Sequence, residues 1–89
     1  MVLKIERGSE RGRPILRLSG RIQSEQLEQL KMQMEGIPEV VLDLKEVRLV
    51  DREVVRFLGM CELSGTELRH CSSYIREWIL KERAGPREL

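Results

Sequence analysis

Residues 39–71, EVVLDLKEVRLVDREVVRFLGMCELSGTELRHC, decide the fold class of this chain. The segment begins with an apolar strand pattern at 40–44, continues through a short polar bend, and reaches Asp51, a residue type that favours a helix N-cap. Apolar residues at helical spacing follow, and Ser64-Gly65 is expected to end that helix before another strand at 66–70. Because the crossover between two such strands is almost always right-handed, we predict that they lie parallel in one sheet.

The flanking residues predict a hairpin before this unit and two more helices around it. Alternation at 2–6 and an apolar run at 15–18 indicate two short strands, joined antiparallel by the glycine-containing turn 7–13. One further helix should start at an N-cap Ser24, and a last one at a cap formed by Ser72 or Ser73. The resulting order, β-β-α-β-α-β-α, predicts an α/β fold with a small mixed sheet of about four strands and three helices.

Length and charge narrow the class of protein. The 89 residues suit one small domain, which we place at 1–83, followed by a flexible tail at 84–89. Sixteen basic and fifteen acidic residues leave a net charge of +1, so no strong field attracts nucleic acid, and we expect no nucleic-acid partner. The sequence has no apolar run of membrane-spanning length and no leader-like segment, which predicts a cytoplasmic location.

Two cysteines and one histidine are the residues that most suggest chemistry. One His and two Cys are too few ligands for a typical metal site. His70 and Cys71 are neighbours on a predicted strand and therefore point to opposite faces, so they should not form a thiol–imidazole pair. We expect Cys61 and Cys71 to be free thiols in apolar surroundings, with no cofactor, no metal and no enzymatic activity.

The apolar positions of the strands and of the central helix should form the core. Aromatic residues are only 3% of the chain, so this core must be largely aliphatic. Trp78, at helical spacing from Ile75 and Ile79, is expected to pack on it with only part of its ring covered. The residues predicted to be buried are Leu16, Leu18, Val41, Leu42, Leu44, Leu58 and Leu68.

Three short segments carry a family resemblance. They are LSGRI at 18–22, VVLDL at 40–44 leading to Val50-Asp51, and GTEL at 65–68. In this order they resemble the passage to the first helix, the central strand before the signature loop, and the glycine before the fourth strand of the STAS domain family (sulfate transporter and anti-sigma factor antagonist domains). The resemblance spans residues 2–81 and implies a stand-alone protein-interaction or regulatory module.

The chain departs from the family at the signature loop. Antagonist members carry Asp-Ser-Ser-Gly or a close variant there, and a partner kinase phosphorylates one of the hydroxyls. Here the matching residues are Asp51, Arg52, Glu53 and Val54, so only the aspartate is kept. Glu53 carries one negative charge where phosphoserine carries about 1.5–2, and Arg52 offsets part of it. The resemblance therefore implies a retained scaffold whose phosphorylation switch is absent from this loop.

The partner-binding residues predicted from this resemblance lie where the strand gives way to the helix. The surface is residues 49–55 with the exposed side of the helix as far as Glu62, and the residues expected to bind are Asp51, Arg52, Glu53, Val54 and Val55. The partners that the family implies are an anti-sigma factor or kinase-like switch protein, or a transporter component. Solvated first-turn side chains explain Arg52 and Glu53 equally well. The alternative function is a structural subunit, either a homodimer or a component of a transporter complex.

Overall fold

The predicted order of strands and helices is the observed one. A computed structural model describes residues 3–84 and contains four strands and three helices in the order β-β-α-β-α-β-α. Their bounds are β1 Leu3–Glu10, β2 Arg13–Ile22, α1 Ser24–Met34, β3 Val41–Val50, α2 Arg52–Leu63, β4 Glu67–Arg69 and α3 Ser73–Ala84. Residues 85–89 of the predicted tail lie outside the described residues, so the tail stays a prediction.

The strands form one mixed sheet in the order β1-β2-β3-β4. β1 pairs antiparallel with β2, and β2, β3 and β4 run parallel, which confirms the predicted hairpin and the parallel pair. Both crossovers, through α1 and through α2, advance across the sheet in the same direction. Right-handed connections therefore place these two helices on the same face. α3 packs against α2, and buried residues of all three helices join one core with the sheet.

The first hairpin is longer than the sequence pattern predicted. Instead of ending at residue 6 and turning over residues 7–13, β1 continues to Glu10, and Glu10 pairs with Arg13. The turn consists of Arg11 and Gly12, whose φ angles are 53° and 81°. Two positive φ angles in a two-residue loop are typical of a type I′ turn, whose twist matches that of the two strands.

The predicted polar bend after residue 44 is wrong. β3 continues to Val50, because β2 also continues and supplies partners, Arg21 for Leu49 and Ile22 for Val50. The pairing contains two register shifts, at each of which β3 carries one residue more than β2. At the first shift the Asp43 side chain accepts a hydrogen bond from the backbone N–H of Lys45 at 3.0 Å. These bulges interrupt the alternation in the sequence without ending the strand.

Helix starts were predicted well for α2 and α3 and less well for α1. Asp51 is the N-cap of α2, and the Ser72 hydroxyl lies 3.4 Å from the backbone nitrogen of Ile75 at the start of α3. The prediction that Ser24 is the N-cap of α1 is wrong by one residue. Gln23 occupies that position, and the Gln26 side chain accepts from its backbone N–H at 3.0 Å. Ser24 is instead the first helical residue, and its hydroxyl bonds outside its own helix.

The core is aliphatic, as expected. Six of the seven residues predicted to be buried are at most 2% exposed, and the exception is Leu68. Leu68 is only half-buried because β4 is a three-residue strand at the edge of the sheet, so it has no neighbouring strand on one side. Cys61 and Cys71 are free thiols, buried and half-buried respectively, and Trp78 packs on the core partly covered.

Candidate functional site

The candidate site lies at one end of the sheet, where two adjacent parallel strands lead into helices. Ile22 at the end of β2 pairs with Val50 at the end of β3, so the chain leaves both strands at the same level. The starts of α1 and α2 consequently lie side by side. Such an end, with free backbone N–H groups of two helices close together, is a common place for ligands and partners to meet an α/β sheet.

One carboxylate joins the two helix starts. Oδ1 of Asp51 accepts from the backbone N–H of Val54 in the first turn of α2 at 3.1 Å. Oδ2 accepts from the backbone N–H of Ser24 at 2.8 Å and from the Ser24 hydroxyl at 3.1 Å. Asp51 is therefore a cap for α2, as predicted, and also a link between α2 and α1. The sequence identified Ser24 as a helix-start residue but gave no signal that it would bond to Asp51.

The pKa of Asp51 follows from this bonding. Partial burial on its own would raise the pKa of the carboxyl group. The hydrogen bonds from Val54 and Ser24 oppose that effect and hold the pKa below its ordinary value. Asp51 is consequently a charged acceptor with its lone pairs engaged at neutral pH, which suits a structural link and makes it a poor proton carrier.

The two charged residues after Asp51 point to solvent. Arg52 has 65% of its side chain exposed, and its Nε lies 3.3 Å from Oε2 of Glu82 on α3. Arg56, one turn further along α2, donates from Nε to Oε1 of the same glutamate at 2.9 Å. Glu53 is exposed and is one of the residues that line a groove of about 600 Å³ between α1 and α2. Arg52 and Glu53 are thus accessible, with Arg52 held by a residue that sequence analysis did not associate with this site.

Two of the predicted partner-binding residues do not belong to the surface. Val54 and Val55 are both 0% exposed, because their side chains turn inward from the first turn of α2 to the core. A side chain with no accessible surface cannot contact a partner in this conformation. Their role is to anchor the first turn against the sheet. Within 49–55 the surface that remains is Arg52, Glu53 and the neighbouring Leu49, which is 42% exposed, and the exposed side of α2 continues it through Arg56 and Met60.

The histidine and the two cysteines have separate surroundings in the structure. His70 adopts a positive φ of 59°, and its Nδ1 lies 3.0 Å from Oδ1 of Asp43, so the imidazole pairs with a carboxylate on β3. Burial raises the pKa of the Cys61 thiol to about 11 and also raises that of Cys71. Both thiols are therefore protonated at neutral pH, which is the opposite of what a nucleophile needs.

Two negative results concern residues 3–84 only. No group of three or more His, Cys, Asp and Glu side chains in that range is arranged to hold a metal ion. None of the helices there is both long enough and apolar enough to cross a bilayer.

The comparisons with known proteins support the fold independently of the sequence pattern. No protein-family model matches the sequence, and no curated protein matches it significantly. Among solved structures, it is similar to the crystal structure of an antisigma-factor antagonist, a STAS domain from Rhodobacter sphaeroides. The TM-score is 0.57 with 23% sequence identity, over 81% of this chain and 94% of that one. With the matching order of strands and helices, this similarity shows that the chain has the fold of a STAS domain.

Proposed function

We propose that the chain is a non-catalytic regulatory module that binds a protein partner through the turn at the start of α2. The observation that carries the proposal is the double role of Asp51, whose carboxylate is occupied by three donors from two helix starts. The turn is therefore held rigidly, and it presents Arg52 and Glu53 as a fixed pair of opposite charges. Preorganised charges of this kind choose a partner and speed its approach more than they add affinity.

The class of partner is inferred from the fold. The solved structure that this chain resembles is called an antisigma-factor antagonist. An anti-sigma factor or a related kinase-like switch protein is accordingly the first partner to test, in the cytoplasm, with a transporter component as the second. Recognition would then be constitutive at this loop, because residues 49–55 contain no hydroxyl group that a kinase could phosphorylate. The nearest hydroxyl of the site is that of Ser24, which bonds to Asp51.

A structural subunit is the second candidate, and one observation favours it. β1 is an edge strand of eight residues, and its outer side has no partner strand in the described part of the chain. A second copy would extend the sheet by pairing along this edge. Lys4, Glu6 and Glu10 are exposed there, however, and charged edge residues usually prevent such pairing. Analytical ultracentrifugation distinguishes the two functions, since a stable dimer with no monomer at micromolar concentration would favour the structural subunit.

The test of the proposed function exchanges the two charges of the turn. The variant Arg52→Glu/Glu53→Lys keeps the net charge of the protein and should lose most partner capture from native lysate, with little change in the thermal midpoint. A matched control exchanges another exposed pair of opposite charges, Lys4 and Glu6 on β1, whose Nζ and Oε2 atoms lie 3.3 Å apart. This control variant is Lys4→Glu/Glu6→Lys, and it should capture the partner as the wild type does. Equal capture by the turn variant and the wild type would refute the proposed surface.

The absence of a switch at this loop is tested separately. Incubation with a family kinase and ATP should place no phosphate on residues 49–55, which mass spectrometry of the intact protein and its peptides decides. Phosphate on Ser64, Ser72 or Ser73 would mean that the chain is regulated at a different position.

A further inference from the structure

A second groove lies between α2 and α3, away from the turn at Asp51. Its volume is about 380 Å³, and its lining combines the buried residues Val55, Gly59 and Ile79 with the exposed Met60 and Leu63. Leu63 is 68% exposed and Met60, beside it, is 66% exposed. Large apolar residues that leave more than half of their surface in water along one groove are typical of a contact surface rather than of a core.

Gly59 forms part of this groove although the fold does not require a glycine there. It lies inside α2, and its φ is not in the positive range. A Cβ atom at this position would meet only Cγ2 of Ile79, at an ordinary contact distance of 3.5 Å. Glycine is a poor helix former compared with alanine, so its presence weakens α2 without relieving any clash. Gly59 is itself buried and faces Ile79 of α3, so the apolar surface that the groove offers to another chain is that of Met60 and Leu63.

The rim of the groove is rich in arginine. Glu82 is shared by Arg52 and Arg56, and Glu62, the neighbouring carboxylate on α2, is shared by Arg76 and Arg83. Each carboxylate therefore serves two guanidinium groups, and the groove itself is lined by Arg56 and Arg83 against the single carboxylate of Glu82. The bonds within residues 3–84 use only Nε of Arg56, which leaves its terminal N–H groups free to receive a carboxylate from outside.

We propose that the α2–α3 groove binds an amphipathic helical segment of a partner protein that carries large apolar side chains flanked by Asp or Glu. An apolar side chain of the segment would pack on the exposed side chains of Met60 and Leu63. Carboxylates three or four residues away would meet Arg56 and Arg83 at the rim. The exposed Met60 suits this role because its flexible thioether adapts to side chains of different shape.

The same charges argue against a second copy of this chain as the occupant. In a two-fold dimer each surface patch meets itself. Pairing this groove with its own copy would therefore bring two arginine-rich rims together. The proposal goes beyond the proposed function and does not depend on it, since Leu63 lies at the opposite end of α2 from the charged pair Arg52 and Glu53.

The experiment is a selection from a displayed library of helical 14-residue peptides against the full-length protein, with the affinities of the selected peptides measured by fluorescence anisotropy. We expect enriched peptides that combine large apolar residues with Asp or Glu three or four positions away. Leu63→Glu should weaken their binding at least about tenfold. The matched control is Leu80→Glu, which places the same charge at a residue that is 50% exposed on α3 and outside the groove lining, and it should leave binding unchanged.

Two further measurements separate binding at the groove from damage to the fold. Gly59→Ala should preserve or raise the thermal midpoint and leave the selected peptides bound, because the added methyl group lies against Ile79 inside the helix pair. Replacing the acidic residues of a selected peptide by Lys should abolish its binding to the unaltered protein.

The proposal is overturned by any of four results. They are the absence of enrichment, enrichment of basic or uncharged peptides, equal binding to the Leu63→Glu and Leu80→Glu variants, and a sedimentation profile in which this groove mediates a dimer. The variant Leu63→Glu identifies which proposal has failed, because it changes the groove and leaves Arg52 and Glu53 as they are. If it loses the selected peptides while the lysate partner is still captured, the two surfaces are separate, and failure of one leaves the other standing.

Discussion

Removing the Asp51 carboxylate should destabilise the protein more than the loss of an ordinary helix cap. Capping of α2 through Val54 contributes about 1 kcal/mol. The bond from the Ser24 backbone N–H involves a charged acceptor, for which about 1.5 kcal/mol is the lower end of the usual range, and the lower end applies because this bond is exposed. We therefore expect Asp51→Ala to lower the free energy of unfolding by about 2–3 kcal/mol.

Asp51→Asn divides this effect into its two parts. An asparagine keeps one oxygen that can accept from Val54, but its amide nitrogen is a donor and cannot accept from Ser24. The variant should therefore lose about half as much stability as Asp51→Ala. Ser24→Ala keeps the backbone N–H and removes only the hydroxyl bond, so it should have the smallest effect, about 0.5 kcal/mol. Urea unfolding at pH 7, followed by circular dichroism and by Trp78 fluorescence, measures all three.

The pH dependence supplies an independent check. The pKa of Asp51 is lowered in the folded protein, so its contribution is fully present above the ordinary aspartate pKa near 4 and is lost as the pH falls through the lower folded value. Other carboxylates titrate in the same range, so the informative quantity is the difference in stability between wild type and Asp51→Asn. That difference should shrink as the pH is lowered from 5 to 2. A loss of about 1 kcal/mol or less in Asp51→Ala at pH 7, which an ordinary cap alone explains, or a difference that does not depend on pH, would refute the double-cap argument.

Three further predictions concern the core and the helix pair. Leu42→Ala should lower the free energy of unfolding by about 2–5 kcal/mol, since Leu42 is 0% exposed, whereas Leu80→Ala at an exposed position should change it by less than about 0.5 kcal/mol. Glu62→Gln should lower the free energy of unfolding by about 1 kcal/mol, because the charged bonds with Arg76 are lost and their partial exposure keeps the effect small. Added salt should reduce this loss, and a loss that does not depend on salt would argue against an ionic contribution. Cys61 should resist thiol reagents at pH 8 until the protein unfolds, because burial raises its pKa to about 11, and rapid labelling of the folded protein would contradict that burial.

Local patterns in the sequence were sufficient for the order of strands and helices, for most of the core and for the cap at Asp51. The reason is that these features depend on neighbours a few residues apart. The helix cap needs an oxygen three residues before a backbone N–H, and strands and helices bury apolar side chains at short, regular intervals. The resemblance of 40–51 to a known central strand and loop followed from the same local information.

The length of β3 and the make-up of the site were decided only by the tertiary structure. The polar residues after Leu44 would end an isolated strand, but β2 supplies partners for them, and two bulges in β3 absorb its extra residues. Asp51 meets Ser24 from 27 residues away, and Arg52 meets Glu82 from 30 residues away. Such pairs exist because parallel strands bring the starts of successive helices to one end of the sheet and because α3 packs back on α2. No periodicity within either segment encodes that proximity, since it arises from the path of the chain between them.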